Sequence, residues 1–111
     1  MVIPIDFTPA DVHFEPAESE LIRHRVDGLP RLCRDIQSCA VDLSRRHGRP
    51  GDRTHYQVHI EVTLPGIQIG VIEPSGVDRY ALLSDAFDAV TRRLQEYVLH
   101  HPTHAAAGGA G

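Results

Sequence analysis

The sequence has no lysine and no tryptophan, and it has few aromatic residues of any kind. All 11 basic residues are arginine, and the 15 acidic residues give a formal net charge of -4. Because aromatic residues make up only 5% of the chain, the core must be built from valine, isoleucine, leucine and alanine. A chain of 111 residues can bury one modest core of this kind, which indicates a single small domain.

Long hydrophobic runs and a secretory signal are also missing. No stretch approaches the ~18 consecutive apolar residues that a transmembrane helix needs. The N-terminus, MVIPIDFTPAD, lacks the basic region that opens a secretory signal. We therefore expect a cytoplasmic protein with no membrane partner.

Cysteine is scarce, and its spacing excludes the common cysteine motifs. Cys33 and Cys39 are the only two cysteines in the chain. Their separation fits neither a CxxC redox motif nor a zinc knuckle. We expect two buried, reduced thiols.

Sequence motifs for catalysis are absent as well. The chain contains no GxSxG and no P-loop. Neither Ser44 nor Ser84 has a neighbour that looks like a base, and no predicted helix presents paired inward carboxylates. We predict no enzymatic activity, no cofactor and no small-molecule substrate.

The histidines do not form a metal-binding pattern. His55 and His59 on one predicted strand would lie about 13 Å apart, too far to share a metal without help from another strand. His100, His101 and His104 form a loose cluster near the end of the chain. We predict no metal site, and a metal- or ligand-binding stress protein built on the histidines stays a third hypothesis.

Charge is distributed unevenly along the chain. Residues 23–53 contain eight arginines and four acidic residues, a net charge of +4, whereas the rest carries three arginines and eleven acidic residues, a net charge of -8. A basic region of this kind can bind polyanions although the whole chain is acidic. Arginine also suits bidentate phosphate contacts better than lysine does.

Hydrophobic periodicity predicts four strands and two helices in the order β-α-β-β-β-α. The third strand alternates almost strictly, with Tyr56, Val58 and Ile60 inward, as in a half-buried antiparallel sheet. Gly28 and Pro30 should end the first regular helix near Asp27 or Gly28. The predicted strands are 2–7, 38–44, 55–64 and 67–72, the helices are 15–31 and 78–100, and the longest loop is 45–53.

These elements predict an α+β fold with one four-stranded sheet and both helices on one face. The first two strands should be parallel with a right-handed crossover, because a helix joins them, and the other pairs should be hairpins. The second helix has an apolar stripe that begins at Tyr80, so we expect Tyr80 to pack in the core. Residues 1–101 would form the domain and 102–111 a disordered tail.

Five short motifs occur in an order that resembles a known family. They are Glu15-Pro16-Ala17, Arg25-Val26-Asp27-Gly28-Leu29, VTLPG at 62–66, Asp78-Arg79-Tyr80-Ala81 and Thr91-Arg92-Arg93-Leu94. Together with the predicted element order they resemble the ribosome hibernation-promoting factors, also called the ribosome-associated inhibitor or sigma-factor modulation family. The resemblance covers roughly residues 2–100 and indicates a short, diverged member.

The resemblance implies both a fold and a partner. The fold would be similar to a double-stranded RNA-binding domain, and the protein would have no enzymatic activity. The partner would be rRNA of the small ribosomal subunit near the decoding region, where family members block translation sterically under stress. Structured RNA is contacted largely through phosphates and 2′-hydroxyls, which need cations on a rigid surface.

The candidate RNA-binding residues are arginines from three parts of the chain. Four lie in the predicted loop, three lie on the first helix or just after it, and two lie on the second helix, where the resemblance selects them. They are Arg23, Arg25, Arg31, Arg45, Arg46, Arg49, Arg53, Arg92 and Arg93.

Local ion pairs are the competing interpretation for some of these arginines. Glu20 and Asp27 lie near Arg23 and Arg25 on the first helix and can pair with them. Asp88 and Arg92 are four residues apart on the second helix and can also pair. Such exposed pairs are worth roughly 0–1 kcal/mol.

The same fold also allows a second function. A diverged protein-binding or self-associating module would not bind ribosomes and would use the open face of the sheet, where Gln57, Glu61, Thr63 and the strand histidines lie. The sequence does not predict an oligomeric state.

Overall fold

The computed structural model describes residues 3–8, 13–46, 51 and 53–104, and they form the predicted α+β fold. Four strands and two α-helices follow one another in the predicted order. The strands are β1 (Ile5–Thr8), β2 (Ser38–Arg46), β3 (His55–Leu64) and β4 (Ile67–Ile72), and the helices are α1 (Pro16–Gly28) and α2 (Arg79–His100).

The strands form one mixed sheet in the order β1-β2-β3-β4. β1 and β2 are parallel, and the β2–β3 and β3–β4 pairs are antiparallel. The predicted parallel pair and the two hairpins are therefore confirmed. This order leaves β1 and β4 at the two edges of the sheet.

Alternation along the strands buries one face of the sheet under both helices. Val58, Ile60 and Val62 of β3 are fully buried, as are Val26 of α1 and Phe87 of α2, and all five belong to one core cluster. The residues between them on β3 are partly exposed. Both helices therefore cover the same face, and the opposite face is open, as predicted.

Helix α1 begins and ends at positions that its sequence indicates. Glu15 and Glu18 form a capping box at its start, with the Glu15 N–H donating to Glu18 Oε1 at 2.8 Å, and Pro16 occupies the first turn. The regular helix ends at Gly28 and continues as a 3₁₀ turn, Leu29–Arg31. The predicted early end of this helix is confirmed.

Helix α2 has the predicted bounds, and Leu83, Phe87, Val90 and Leu94 of the predicted stripe are buried, but the stripe does not begin at Tyr80. Asp78 caps the helix by accepting a 3.0 Å hydrogen bond from the Ala81 N–H. Leu82 and Leu83 face the core, whereas Tyr80 is 50% exposed. The prediction that Tyr80 packs in the core is wrong. Tyr80 is not buried because the helical period places Arg79, and not Tyr80, in line with the centre of the buried face.

Strand β2 is longer than predicted. It continues from Ser38 to Arg46, and Arg45 and Arg46 pair with Tyr56 and His55 of β3. The two arginines therefore lie on a strand and not in the predicted loop, because pairing with the full length of β3 extends β2.

The described part of the chain ends in a 3₁₀ turn, Pro102–His104, that packs on the domain. The backbone N–H of Arg34 donates to the carbonyl of His104 at 2.6 Å. His104 lies at a ring-centroid distance of 5.5 Å from Tyr97. The remainder of the predicted tail, 105–111, is outside the described residues.

The two cysteines are free and buried, as predicted. Burial raises the pKa of the Cys39 thiol to about 12. Burial also raises the pKa of the Cys33 thiol, and the nearby Asp35 carboxylate adds to that effect. Both thiols are therefore poor nucleophiles at neutral pH.

Neither α-helix among the described residues has an apolar stretch long enough to span a membrane.

Candidate nucleic-acid interface

Three exposed arginines lie together at one end of the sheet. Arg45 and Arg46 end β2, and Arg53 lies two residues before β3 begins. Arg46 is paired in register with His55, so Arg53 and the end of β2 are neighbours. We call Arg45, Arg46 and Arg53 the sheet-end arginines. None of them makes an ion pair with another described residue.

The sheet-end arginines extend to both sides of the sheet. Successive residues of a strand point to opposite faces, so Arg45 and Arg46 lie on different faces. Arg49, the fourth arginine of the predicted loop, is outside the described residues. The geometry gives a cationic end of the sheet rather than a cationic face.

Arg53 also borders an open cleft between the start of β3 and the first turns of both helices. The cleft has a volume of about 710 Å³. Its walls include Tyr56 and Tyr80 together with the carboxylates of Glu15 and Asp78. The mixture of charges makes this cleft less suited to a polyanion than the sheet end itself.

Arg79 forms a partly buried ion pair that sequence reasoning missed. Its guanidinium lies 2.7 Å from Glu18 Oε1, donates to the backbone carbonyl of His13, and lies 5.1 Å above the ring of Tyr56. The Glu18 side chain is only 5% exposed. This pair joins the first turns of α1 and α2 and commits the Arg79 guanidinium to contacts within the protein.

A sequence signal for this pair existed. Glu18, Ile22 and Val26 are spaced four residues apart, so Glu18 continues the buried stripe of α1. A carboxylate at such a position needs a buried partner, because an unpaired buried charge is costly. Arg79 continues the buried stripe of α2 in the same way, since it lies four residues before the buried Leu83.

Arg25 is also engaged in an ion pair between the helices. Its Nη2 donates to Asp88 Oδ1 at 2.7 Å, and its guanidinium lies 5.8 Å from the centre of the Phe87 ring. The expected pairing of Arg25 with a local carboxylate, Glu20 or Asp27, is therefore wrong. So is the pairing of Asp88 with Arg92, because the Asp88 carboxylate contacts Arg25 instead.

Arg23 forms the local ion pair that was predicted. Its Nη1 lies 3.9 Å from Asp27 Oδ1, and both side chains are about half exposed. An exposed pair of this kind is weak, roughly 0–1 kcal/mol, so Arg23 is only loosely held.

The remaining candidates lie away from the sheet end. Arg31 is exposed in the 3₁₀ turn after α1, close to the start of β2, whereas the sheet-end arginines lie at its finish. Arg92 and Arg93 are exposed on α2 and line a shallow groove beside β4. The structure therefore places the eight described candidate arginines on different surfaces.

The open face of the sheet carries the strand histidines, and they do not assemble into a metal site. A Cβ atom placed on Gly70 would lie 3.5 Å from His59 Nε2, so the ring of His59 extends across β4. Among the described residues no group of three or more histidine, cysteine, aspartate or glutamate side chains could hold a metal ion.

Comparison with known proteins identifies the fold. No protein-family model and no curated protein sequence matches the chain with significance. A solved structure described as a ribosomal subunit interface protein from Coxiella burnetii matches with a TM-score of 0.60 and 21% sequence identity, over 87% of this chain and 97% of that chain. The Protein Y N-terminal domain of Thermus thermophilus matches with a TM-score of 0.59 and 18% identity, over 87% and 99%.

Both of these proteins are hibernation-promoting factors. The five sequence motifs and the element order resemble the same family, so two independent kinds of observation agree. The chain therefore has the fold of the hibernation-promoting factors, as the resemblance implied.

Proposed function

We propose that this protein is a ribosome-associated translation inhibitor that binds rRNA of the small subunit near the decoding region under stress. Its action would be steric, with no enzymatic step. One observation carries the proposal: Arg45, Arg46 and Arg53 are exposed and make no ion pair with other described residues, at one end of a fold shared with a ribosomal subunit interface protein.

The sheet-end arginines suit this role because no acidic residue in the described part of the chain pairs with them. A guanidinium without an intramolecular ion pair can contact a phosphate without first breaking another contact. The strand pairing of Arg45 and Arg46 with β3 also holds their backbone in place. A rigid array of cations is what recognition of structured RNA through its phosphates requires.

The nine candidate arginines should contribute unequally. We expect the sheet-end arginines to contribute most, and Arg49 with them from the same connection. Exposed arginines elsewhere, Arg31, Arg92 and Arg93, would add weaker contacts. Arg23 and Arg25 should contribute least, since both are in ion pairs.

Cosedimentation with ribosomes at low and high salt tests the proposal. The purified protein should bind at low salt and lose affinity as salt rises, because phosphate contacts release counterions. The Arg45→Ala/Arg46→Ala/Arg53→Ala variant should not cosediment at either salt concentration.

A matched control separates a defined site from general charge attraction. The Arg23→Ala/Arg31→Ala/Arg34→Ala variant removes the same charge from exposed positions away from the sheet end. It should retain most of the binding. Equal loss in both variants would show that only net charge matters, and absence of binding by the unchanged protein would refute ribosome association.

The alternative function is a protein-binding or self-associating module that does not bind ribosomes. It would use the open sheet face, where Gln57, Glu61 and Thr63 are partly exposed. Its binding would depend weakly on salt and would survive loss of the sheet-end arginines, so the same two variants distinguish the alternatives.

A further inference from the structure

Strand β4 is an edge strand whose outer side is not covered by another strand of the described chain. The sheet order places it last, and it pairs only with β3. An uncovered edge presents a row of unpaired backbone N–H and C=O groups, which can pair with a strand from another chain.

The hydrogen-bond pattern identifies the residues that present these groups. The Glu73 N–H donates to the Val58 carbonyl at 3.0 Å, so residue 73 bonds inward to β3. Inward and outward bonding alternate along an antiparallel strand. The outward backbone groups of β4 therefore belong to Gln68, Gly70 and Ile72.

The two edges of the sheet differ in their protection. Edge strands in soluble proteins are commonly kept short or carry charged residues and proline. β1 has only four residues, contains Asp6 and begins directly after Pro4. β4 has six residues, IQIGVI, without charge or proline, and its Ile67 and Ile72 are 41% and 64% exposed.

We propose that β4 pairs antiparallel with β4 of a second copy of this chain, about a two-fold axis through Gly70. In this register Gly70 lies opposite Gly70 of the other copy, and Gln68 lies opposite Ile72. Each of these pairs exchanges both backbone hydrogen bonds, so all the outward groups of the strand are satisfied. The two four-stranded sheets become one continuous sheet.

The surface beside β4 carries equal numbers of positive and negative side chains, which suits contact with a second copy. Arg92, Arg93 and Glu96 of α2 line one groove with residues 70–72 of β4 and with Glu73, which follows the strand. None of the four charged side chains in this groove makes an ion pair among the described residues. Two copies of this groove, each with two cations and two anions, therefore meet about the two-fold axis without net like-charge repulsion.

The small residue at the axis also suits a second copy. Gly70 has no side chain, so the two copies of residue 70 bring no side chains against each other at the axis. In such a dimer Arg92 and Arg93 face the other copy, whereas the sheet-end arginines stay exposed. The inference does not depend on ribosome binding.

Disulfide trapping tests this register directly. Cα atoms of a hydrogen-bonded antiparallel pair lie about 5.5 Å apart, within the range that a disulfide spans. Gly70→Cys should therefore crosslink to its own copy under mild oxidation. The substitution fits, because a Cβ there makes only an ordinary 3.5 Å contact with His59 and Gly70 has no positive φ. The native cysteines are buried and do not compete.

The matched control is Gln68→Cys, on the same strand and the same face. In the proposed register its two copies lie about 13 Å apart along the paired strands, beyond the reach of a disulfide. It should remain uncrosslinked. Equal crosslinking of both variants, or none of Gly70→Cys, would overturn the register.

Light scattering of the full chain over a range of concentrations provides a second test. The unchanged protein should show a dimer, and Gln68→Lys/Ile72→Lys should weaken it by at least about tenfold, since lysines then lie directly opposite each other. Tyr80→Lys, at a residue that is 50% exposed beside α1 and away from β4, should leave the dimer intact. A monomer at every concentration, or a dimer unaffected by the two lysines, would rule out the β4 interface, provided that circular dichroism shows each variant folded.

Discussion

Two groups of arginines show how one residue type serves two purposes in this protein. Arg25 and Arg79 join the helices through ion pairs with Asp88 and Glu18. The sheet-end arginines are equally charged, but no described acidic residue pairs with them. The difference lies in whether the folded chain brings a carboxylate within reach, and it separates arginines that stabilise the fold from arginines that are available to a ligand.

The largest expected effect is on stability, at Arg79. Arg79→Ala leaves the Glu18 carboxylate nearly buried without its partner, so the free energy of unfolding should fall by about 3 kcal/mol. Urea denaturation measures this change. The Glu18→Gln/Arg79→Met variant is the control, because it removes both charges and should lose much less. Equal losses in the two variants would mean that packing, not the charge pair, explains the effect.

The next effect is on binding, at each of the sheet-end arginines. Arg45→Ala, Arg46→Ala and Arg53→Ala should each weaken ribosome binding about fivefold, close to 1 kcal/mol, and reduce the slope of log K against log salt by about 0.9. Their stability should change by less than about 0.5 kcal/mol, since these side chains are exposed. A salt titration of binding gives the slopes, and unchanged slopes would exclude phosphate contacts by these residues.

Arg25→Ala should show the opposite pattern, with a change in stability and none in ribosome binding. Loss of the pair with Asp88 and of the contact with Phe87 should lower the free energy of unfolding by about 1 kcal/mol, because the Asp88 side chain is 59% exposed and solvent screens the pair. The salt slope of ribosome binding should not change. A lower slope would show that Arg25 leaves Asp88 to contact RNA.

The smallest effect is expected at Tyr80, which directly follows Arg79 but is not part of the ion pair that joins the two helices. Tyr80→Ala should change the free energy of unfolding by less than about 0.5 kcal/mol, since half of Tyr80 is exposed. Thermal unfolding beside Phe87→Ala, which removes a fully buried ring and should cost about 3–5 kcal/mol, provides the contrast. A large loss at Tyr80 would place it in the core after all.

Sequence patterns predicted most of the fold because they reflect local physics. The bounds of β3, β4 and α2 agree with the alternation and helical spacing of their apolar residues, and the end of α1 follows from Gly28 and Pro30. The end of β2 could not be predicted in this way, because Arg45 and Arg46 have no strand pattern of their own. Their strand structure comes from pairing with Tyr56 and His55, which lie beyond the loop that follows them in the chain.

The sequence predicted that the candidate site is made of arginines, but not which of the arginines form it. The sequence alone determined that the arginines cluster between residues 23 and 53, that one sheet face is apolar, and that the family-like element order is present. The tertiary structure decided which arginines meet a carboxylate, that Arg79 rather than Tyr80 lies over Glu18, and that β4 is left at an edge. Ion pairs between helices and the order of strands depend on contacts between residues distant in the chain, which no local pattern of residues specifies.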